Sequence, residues 1–314
     1  MELVQRCMVQ VRERDAANLK IRSVQMHDLM RNLCLSKAKQ ENFLCFVDES
    51  NASSISTIGR MHRVSAPDLL WIRRITSPNL RSLLFFHEVL DESIKQMKVF
   101  RKPVLRQMLN YIENHKDGAE NGCLYDSISA FLLLFVLIPQ FQRLYMYMFN
   151  KFKLLRVFSY EGEDSGGIQF TLSSDICNLI HLRFLSLRGI FLCFPSSLEN
   201  LRCLQTLDLR VVGRAFVPNV IWRMEKLRHL YLPEDYRVLT KLKLATLRNL
   251  RTLVNFNTKC CYLKDLMNMT NLRELEIRGP FRIKDFNAED LHKNHPSSRV
   301  DIFIPCLFSM MKEE

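Results

Sequence analysis

The chain has 314 residues, of which 47% are hydrophobic and 10% aromatic, so it carries enough apolar surface for a continuous core and is not disordered throughout. Its formal net charge of +12 favours an acidic partner, which is an acidic protein face, an anionic lipid surface or nucleic acid. Charged residues interrupt the amino terminus, so we expect no secretion signal, and the longest apolar run (residues 130–138) is far shorter than the roughly 20 residues that cross a bilayer.

Ten cysteines are scattered along the sequence without a CxxC pair and without histidines at zinc-finger spacing. We therefore expect reduced, mostly buried thiols and no metal site. The expected location is cytoplasmic, and thiols stay reduced inside cells.

Residues 1–46 have the pattern of a helix, a hairpin and a second helix. Residues 7–11 are strand-like, residues 15–18 (DAAN) form a turn, and Ile21–Met26 returns as a second strand. A helix is then predicted from about Asp28, since an acidic residue is favoured at the positive end of a helix. Its apolar stripe consists of Leu29, Met30, Leu33 and Ala38.

Residues 61–86 contain one weak repeat unit, with apolar positions at Leu80, Leu83 and Phe85. Residues 87–150 fit no repeat and are predicted as an atypical helical insertion. Within them Leu105, Met108, Leu109 and Ile112 follow helical spacing, and residues 117–118 (DG) end the pattern. We expect an amphipathic helix that packs on the repeats; a helix at a membrane surface is the alternative.

A template of the form LxxLxxLxL recurs through residues 151–280. It is clearest in LIHLRFLSL (179–187), LRCLQTLDL (201–209) and MEKLRHLYL (224–232), and weaker copies are FKLLRVFSY (152–160), LRNLRTLVN (247–255) and MTNLRELEI (269–277). The second apolar position falls at residues 155, 182, 204, 227, 250 and 272, which gives spacings of 27, 22, 23, 23 and 22. This period lies within the range of about 20 to 29 residues for leucine-rich repeats.

The last two apolar positions of each copy are two residues apart, so they share one face of a short strand. The rest of the unit returns the chain, as in FPSSL (194–198), where Pro195 fixes the backbone and Leu198 points inward. Since no unit buries its own leucines, neighbouring units must stack. We predict an α/β leucine-rich-repeat solenoid with a parallel sheet on its concave face, followed by an irregular tail over residues 281–314.

Two sets of residues resemble one family. ELVQRCMVQVRERD and VQMHDLMRNLCLSKAKQENF resemble the end of the winged-helix subdomain in the coiled-coil class of plant disease-resistance proteins, the nucleotide-binding leucine-rich-repeat receptors. LLRVFSYEG, ICNLIHLRFLSLRG, FPSSLENLRCLQTLDL and MEKLRHLYLP resemble the repeats of the same receptors. The resemblance implies a partial winged-helix subdomain over residues 1–60, ahead of the solenoid, in a truncated receptor.

The resemblance also assigns roles to the MHD motif, Met26, His27 and Asp28. In the family its histidine contacts bound ADP and helps to hold the receptor inactive, a role that falls here on His27, with Asp28 organising the loop. The alternative is that both residues only cap a helix. Because no GxxxxGK[ST] phosphate loop occurs, the motif is expected to be vestigial and the chain alone to bind no cofactor. ADP or ATP would bind only if the missing nucleotide-binding module were supplied.

One repeat position is almost always arginine. The residue after the second apolar position is, in successive units, Arg81, Arg156, Arg183, Gln205, Arg228, Arg251 and Arg273. Stacked at strand spacing of about 5 Å, these residues would form a basic ladder along one edge of the inner face. The ladder is either an electropositive strip for an acidic protein surface or a solvated rim that shields the leucines.

Other predicted contact residues share the concave face because side chains alternate along a strand. They are Phe184, Thr206, Asp208, His229, Tyr231 and Glu276. Aromatic residues beside arginines are typical of binding hot spots. In the family the partners are the receptor's own nucleotide-binding module, which the repeats restrain, or pathogen-linked proteins.

Three other functions compete with a receptor piece that binds proteins. An enzyme is disfavoured because no GxSxG, HExxH or metal cluster occurs. A basic nucleic-acid-binding protein is less favoured because the arginines lie on a repeat sheet, so no nucleic acid is expected. A free-standing leucine-rich-repeat adaptor needs no nucleotide module and stays an alternative.

Overall fold

The computed structural model describes residues 2–6, 8–14, 21–41, 43–47, 61–66, 72–73, 75–88, 138–162, 170–188, 191–211, 214–278 and 299–303. The amphipathic helix predicted around Leu105 and Ile112 lies outside these residues, as does most of the apolar run 130–138.

The amino-terminal elements are a short helix, a hairpin and a longer helix. They are α1 (Glu2–Gln5), β1 (Val9–Arg14), β2 (Ile21–Met26) and α2 (Asp28–Gln40). β1 and β2 pair antiparallel in a sheet of their own. The predicted hairpin and helix are thus confirmed. On the predicted apolar stripe of α2, Leu29 and Leu33 remain 75% and 54% exposed.

Short strands follow α2 along the chain. They are β3 (Cys45–Phe46), β4 (Arg63–Ala66), β5 (Ser82–Glu88), β6 (Val157–Gly162), β7 (Phe170–Thr171), β8 (Phe184–Arg188), β9 (Phe191–Cys193), β10 (Thr206–Asp208), β11 (Arg214–Phe216), β12 (His229–Tyr231), β13 (Asp235–Arg237), β14 (Thr252–Phe256), β15 (Glu274–Arg278) and β16 (Arg299–Phe303).

These strands form two parallel sheets in the described part of the chain. The main sheet has ten strands in the order β16-β15-β14-β12-β10-β8-β6-β5-β4-β3, and the smaller sheet has the order β13-β11-β9-β7. Strands of the main sheet therefore lie side by side in sequence order, with the strands of the smaller sheet set between them along the chain. This is the topology of a solenoid, and it confirms the predicted α/β leucine-rich-repeat fold.

Inward leucines form one continuous row across the main sheet. Leu185 is in register with Leu207, Leu207 with Leu230, Leu230 with Leu253, and Leu253 with Leu275. All five side chains are fully buried. The two-residue spacing of the leucines explains the row, because it keeps them on the same face of each strand.

Short 3-10 helices carry the chain from one strand of the main sheet to the next. They span Ser174–Asn178, Ser196–Asn200, Ile221–Arg223 and Leu263–Asn268. Pro195 precedes the second with an extended backbone, and Leu198 within it is buried, as the sequence predicts for the returning part of the unit. The apolar side chains of these helices complete the core opposite the leucine row.

A longer helix, α3 (Ile138–Lys151), enters the repeat core ahead of β6. Leu144, Tyr145, Met148 and Phe149 are buried at helical spacing, and the Phe149 ring lies 5.9 Å from that of Phe158 in an edge-to-face contact. The carboxyl-terminal part of the interval 87–150 is therefore part of the solenoid core.

The main sheet extends beyond the repeats that the sequence indicates. β3 lies within residues 1–60, where the resemblance places only the winged-helix subdomain, and β16 lies within the tail 281–314, where no repeat is predicted. Both strands pair in parallel with their neighbours. The proposed domain boundaries at residues 60 and 280 therefore do not coincide with the ends of the sheet.

Candidate partner-binding surface

The predicted ladder position forms a hydrogen-bonded column of backbone groups, here called the arginine column: Arg81, Arg156, Arg183, Gln205, Arg228, Arg251 and Arg273. Each backbone N–H after Arg81 donates to the carbonyl oxygen of the preceding member, at distances between 2.7 and 2.8 Å. The column exists because the same residue of each repeat enters the main sheet at the same point.

The arginines of the column are exposed, and Gln205 is half-buried. Within the described part of the chain none of these arginines forms a salt bridge, whereas five other arginines do. Strands in a sheet lie about 4.8 Å apart, so the column concentrates positive charge along one edge of the main sheet.

Two rows of concave residues run beside the column. The first contains Phe184, Thr206, His229, Thr252 and Glu274, which are paired in register across five strands. Its members are half-buried except for Thr252, which is buried. Three predicted contact residues, Phe184, Thr206 and His229, therefore form one continuous surface.

The second row contains Ser186, Asp208 and Tyr231, again in register. Tyr231 is half-buried, but Asp208 is only 3% exposed. Asp208 therefore cannot meet a partner as an exposed side chain would. Its carboxylate instead affects the surface by holding two arginine side chains in position above it.

Two arginines that the sequence analysis did not single out hold this buried carboxylate. Arg188 donates to Oδ2 of Asp208 at 3.0 Å, and Arg210 donates to both oxygens at 2.9 and 2.7 Å. Arg188 also lies 3.4 Å from Glu161, and the Arg210 guanidinium lies 4.5 Å from the centre of the Tyr231 ring. The alternation that places Phe184 on the concave face also places Arg188 there, so a signal for it was present.

This cluster perturbs the acidity of its members. Burial alone would raise the pKa of Asp208, but the hydrogen bonds and positive charges of Arg210 and Arg188 outweigh it and lower that pKa overall. The pKa of Tyr231 is raised, mainly by burial. Asp208 is thus an anion that fixes two guanidinium groups on the concave face.

His229 belongs to the first row and lies close to the arginine column. Its Nδ1 is 3.1 Å from the hydroxyl of Thr252. Burial, followed by the charges of Arg251 and Arg228, lowers the pKa of His229, so the imidazole is neutral near pH 7.

Glu276, the last predicted contact residue, is half-buried on β15. Its carboxylate lies 3.8 Å from Nε of Arg278, which also binds Glu234 at 2.7 Å. Acidic side chains therefore accompany the arginines at this end of the concave face.

The MHD residues lie at the junction of β2 and α2. His27 is the N-cap of α2, and its Nδ1 accepts a hydrogen bond from the backbone N–H of Leu29 at 3.4 Å. Met26, His27 and Asp28 are all exposed. The capping role that the sequence analysis offered as the alternative is therefore present, and it leaves the histidine side chain open to solvent.

Two other kinds of site are not found in the described residues. They contain no group of three or more histidine, cysteine, aspartate or glutamate side chains placed to hold a metal ion. None of the described helices is both long enough and apolar enough to cross a bilayer.

Comparison with known proteins identifies the class to which this sheet belongs. The model of a family described as "Leucine-rich repeat region" matches residues 135–307, more than half of the chain. The chain therefore belongs to the leucine-rich-repeat family. The match begins just ahead of α3, in the interval 87–150, in agreement with the buried face of that helix.

Within this family the chain is similar to plant disease resistance proteins. It is 35% identical to "Probable disease resistance protein RXW24L" of Arabidopsis thaliana over 88% of its own length and 26% of that protein. It is 34% identical to "Probable disease resistance protein RF9" of the same plant over 88% of its length and 22% of that protein. The predicted resemblance is confirmed, and the chain spans about a quarter of these relatives.

Solved structures of bacterial leucine-rich-repeat proteins are more distant. A protein of Leptospira interrogans is 13% identical, with a TM-score of 0.39 over 80% of this chain and 56% of that one. Internalin C2 of Listeria monocytogenes is 17% identical, with a TM-score of 0.31 over 51% of this chain and 74% of that one. Because both scores are low, the fold is assigned from the strand order and the family model.

Proposed function

We propose that this chain is the recognition part of a plant immune receptor and that it works by binding proteins, without catalysis. Support comes from the family model, from relatives named as disease resistance proteins, and from a sheet whose concave face carries aromatic and charged side chains. The same relatives support a role in defence. Phe184, His229 and Tyr231 would contribute to recognition of pathogen-linked proteins.

We further propose that the arginine column holds an acidic face of a nucleotide-binding module and thereby restrains it. The observation that carries this proposal is the alignment of exposed arginines that have no salt bridge within the described residues. Charges so aligned steer an acidic partner and fix its orientation.

The MHD motif fits the same proposal in a secondary role. His27 is exposed beside the amino terminus of α2, where an anionic group is favoured. We propose that it meets ADP only when the phosphate-binding loop of a nucleotide-binding module is supplied. The chain alone should then show no tight ADP binding.

The experiment is a titration of the purified chain with ADP and, separately, with a nucleotide-binding module from a resistance protein of the same class. Two triple variants are compared, Arg183→Glu/Arg228→Glu/Arg251→Glu in the column and Arg237→Glu/Lys243→Glu/Lys264→Glu outside it. Both change the net charge equally, so a general charge effect would weaken them alike.

The proposal expects module binding that the column variant loses and the control variant keeps. His27→Ala should leave this binding unchanged when nucleotide is absent. If both triple variants lost module binding equally, the column would be no specific binding site, and the alternative of a solvated rim would stand. Tight ADP binding by the chain alone would mean that the chain contains a phosphate site of its own.

A further inference from the structure

A cavity of about 660 Å³ opens between two consecutive repeats. It is lined by Arg202, Trp222, Arg223, Glu225 and Lys226. Its volume falls within the range of about 300 to 1,000 Å³ in which proteins bind small ligands and single anchoring groups. None of these residues belongs to the column or to the concave rows.

The lining is positively charged. It contains three cations and one acid, and the Arg223 guanidinium is already paired with Glu199 at 2.7 Å. Arg202 and Lys226 are exposed and form no salt bridge within the described residues. Two cations therefore remain for an anion that enters the cavity.

An aromatic side chain also lines the cavity. The Arg223 guanidinium lies 5.0 Å from the centre of the Trp222 ring, so the ion pair with Glu199 orients the arginine against the indole. Trp222 is only half-buried. A partly exposed indole, beside two cations that form no salt bridge within the described residues, suits a ligand that is both apolar and acidic.

Two of the residues that line the cavity lie close to column members in the sequence. Lys226 lies two residues before Arg228, Arg202 lies three residues before Gln205, and the backbone N–H of Arg228 donates to the carbonyl of Gln205 at 2.7 Å. Gln205 is the single member of the column that is not arginine. The column position without a charge is thus preceded by Arg202 in its own repeat, and Lys226 precedes the next column member, Arg228.

We propose that this cavity receives an acidic peptide segment of the partner protein, with an aromatic side chain of that segment against Trp222 and its carboxylates on Arg202 and Lys226. The inference rests on the proposed function, because it treats the cavity as the anchoring point of the surface that the column begins. The column supplies long-range attraction and the cavity selects the segment.

The probe is a short synthetic peptide of glutamates around one phenylalanine. Binding to the full chain is followed by calorimetry, and by fluorescence in a Trp71→Phe background, where Trp222 is the sole tryptophan. A peptide with alanine in place of phenylalanine and one with lysines in place of glutamates serve as controls. The cavity variant is Arg202→Glu/Lys226→Glu, and its charge-matched control is Arg237→Glu/Lys243→Glu.

The expected result is a change in Trp222 fluorescence on binding, and an affinity that falls about tenfold or more in the cavity variant but little in its control. The alanine peptide should bind more weakly and the lysine peptide should not bind. If the Trp71→Phe chain does not fold, calorimetry on the otherwise unaltered chain decides the same comparison.

Three outcomes separate this inference from the proposed function. The proposed peptide site is overturned if the peptide does not bind, or if it binds the cavity variant and the unaltered chain equally. Binding of the module to the column can still hold in that case. Cavity-dependent peptide binding without column-dependent module binding sustains the peptide site and removes the proposed function. Loss of both module and peptide binding in the cavity variant, with its control intact, supports the two together.

Discussion

The Arg210 guanidinium donates two hydrogen bonds, of 2.9 and 2.7 Å, to the buried carboxylate of Asp208, which lies only two residues before it in the chain. The Arg210 backbone N–H adds a third, at 3.2 Å. Asp208 is the last residue of β10, so Arg210 lies just beyond the end of that strand. The pair fixes an arginine beside Tyr231 on the concave face, where a flexible side chain would lose entropy on binding.

Replacement of this carboxylate should destabilise the protein. Asp208→Asn removes the charge that Arg188 and Arg210 share, and we expect a loss of about 1–3 kcal/mol, below the full cost for a buried pair because both arginines reach solvent. Urea unfolding at pH 7 measures it. The control is Asp235→Asn, which removes an exposed carboxylate paired with an exposed arginine, Arg214. This replacement should change stability by no more than about 0.5 kcal/mol.

The same pair predicts a dependence on pH. Because the folded state lowers the pKa of Asp208 below its ordinary value of 3.8, the unfolded chain takes up this proton first as the pH falls. The stability from the pair is fully present above 3.8 and is lost as the pH falls through the folded-state pKa. The stability difference between the unaltered chain and Asp208→Asn should therefore be constant down to about pH 5 and narrow below 3.8. A difference that grew in acid would contradict the assignment.

Asn255 tests whether a left-handed backbone conformation and a side-chain hydrogen bond both contribute to stability. It has a positive φ of 62° and is 2% exposed, and its side-chain amide donates to the carbonyl of Leu232 at 2.8 Å. Asn255→Gly keeps the backbone conformation and loses the hydrogen bond, at about 1 kcal/mol. Asn255→Ala loses both and should cost about 2–3 kcal/mol. Urea midpoints should fall in the order asparagine, glycine, alanine, and an alanine variant as stable as the glycine variant would rule out strain at this position.

Asn255 also shows where the sequence pattern stops being sufficient. The repeat template puts it at the inward position that leucine occupies in the clearest units. The structure instead has a register shift between Leu253 and Phe256, and Phe256 pairs with Ile277 and is fully buried. The bulge inserts one residue, so the side chain that fills the core lies one position later than the spacing predicts.

Elsewhere the spacing of the apolar residues predicted the fold well, because these residues are the ones that become buried. Leucines two residues apart predict a strand, and a repeat near 23 residues predicts stacking, so the main sheet and the arginine column followed from the sequence. The pairing of Asp208 with Arg188 did not, because it depends on the register of β10 against β8. β3 and β16 were missed since CF and RVDIF carry no leucine template.

The leucine row should be the most sensitive part of the core. Leu230 is fully buried in the middle of the row, and Leu230→Ala should cost about 2–5 kcal/mol because it leaves a cavity between two neighbouring repeats. Leu239 is 88% exposed only nine positions later, and Leu239→Ala should change stability by less than about 0.5 kcal/mol. Chemical denaturation of both variants gives the comparison, and equal losses would be incompatible with the stacked row.

His229 reports the electrostatic field of the arginine column. Burial lowers its pKa, and the charges of Arg251 and Arg228 lower it further. Removal of one charge in Arg251→Gln should therefore raise the pKa toward the ordinary value of 6.5 while burial keeps it below that value. NMR titration of the imidazole measures the shift. His229→Gln assigns the signal, and Arg237→Gln is a control that should leave the pKa of His229 unchanged.

Salt gives a second test of the same field. Higher salt should raise the pKa of His229 in the unaltered chain and have less effect in Arg251→Gln, since screening acts on the charge that this variant lacks. If the pKa of His229 changed neither with salt nor in Arg251→Gln, the column would exert no field on the concave face. The attraction of an acidic partner would then need another source.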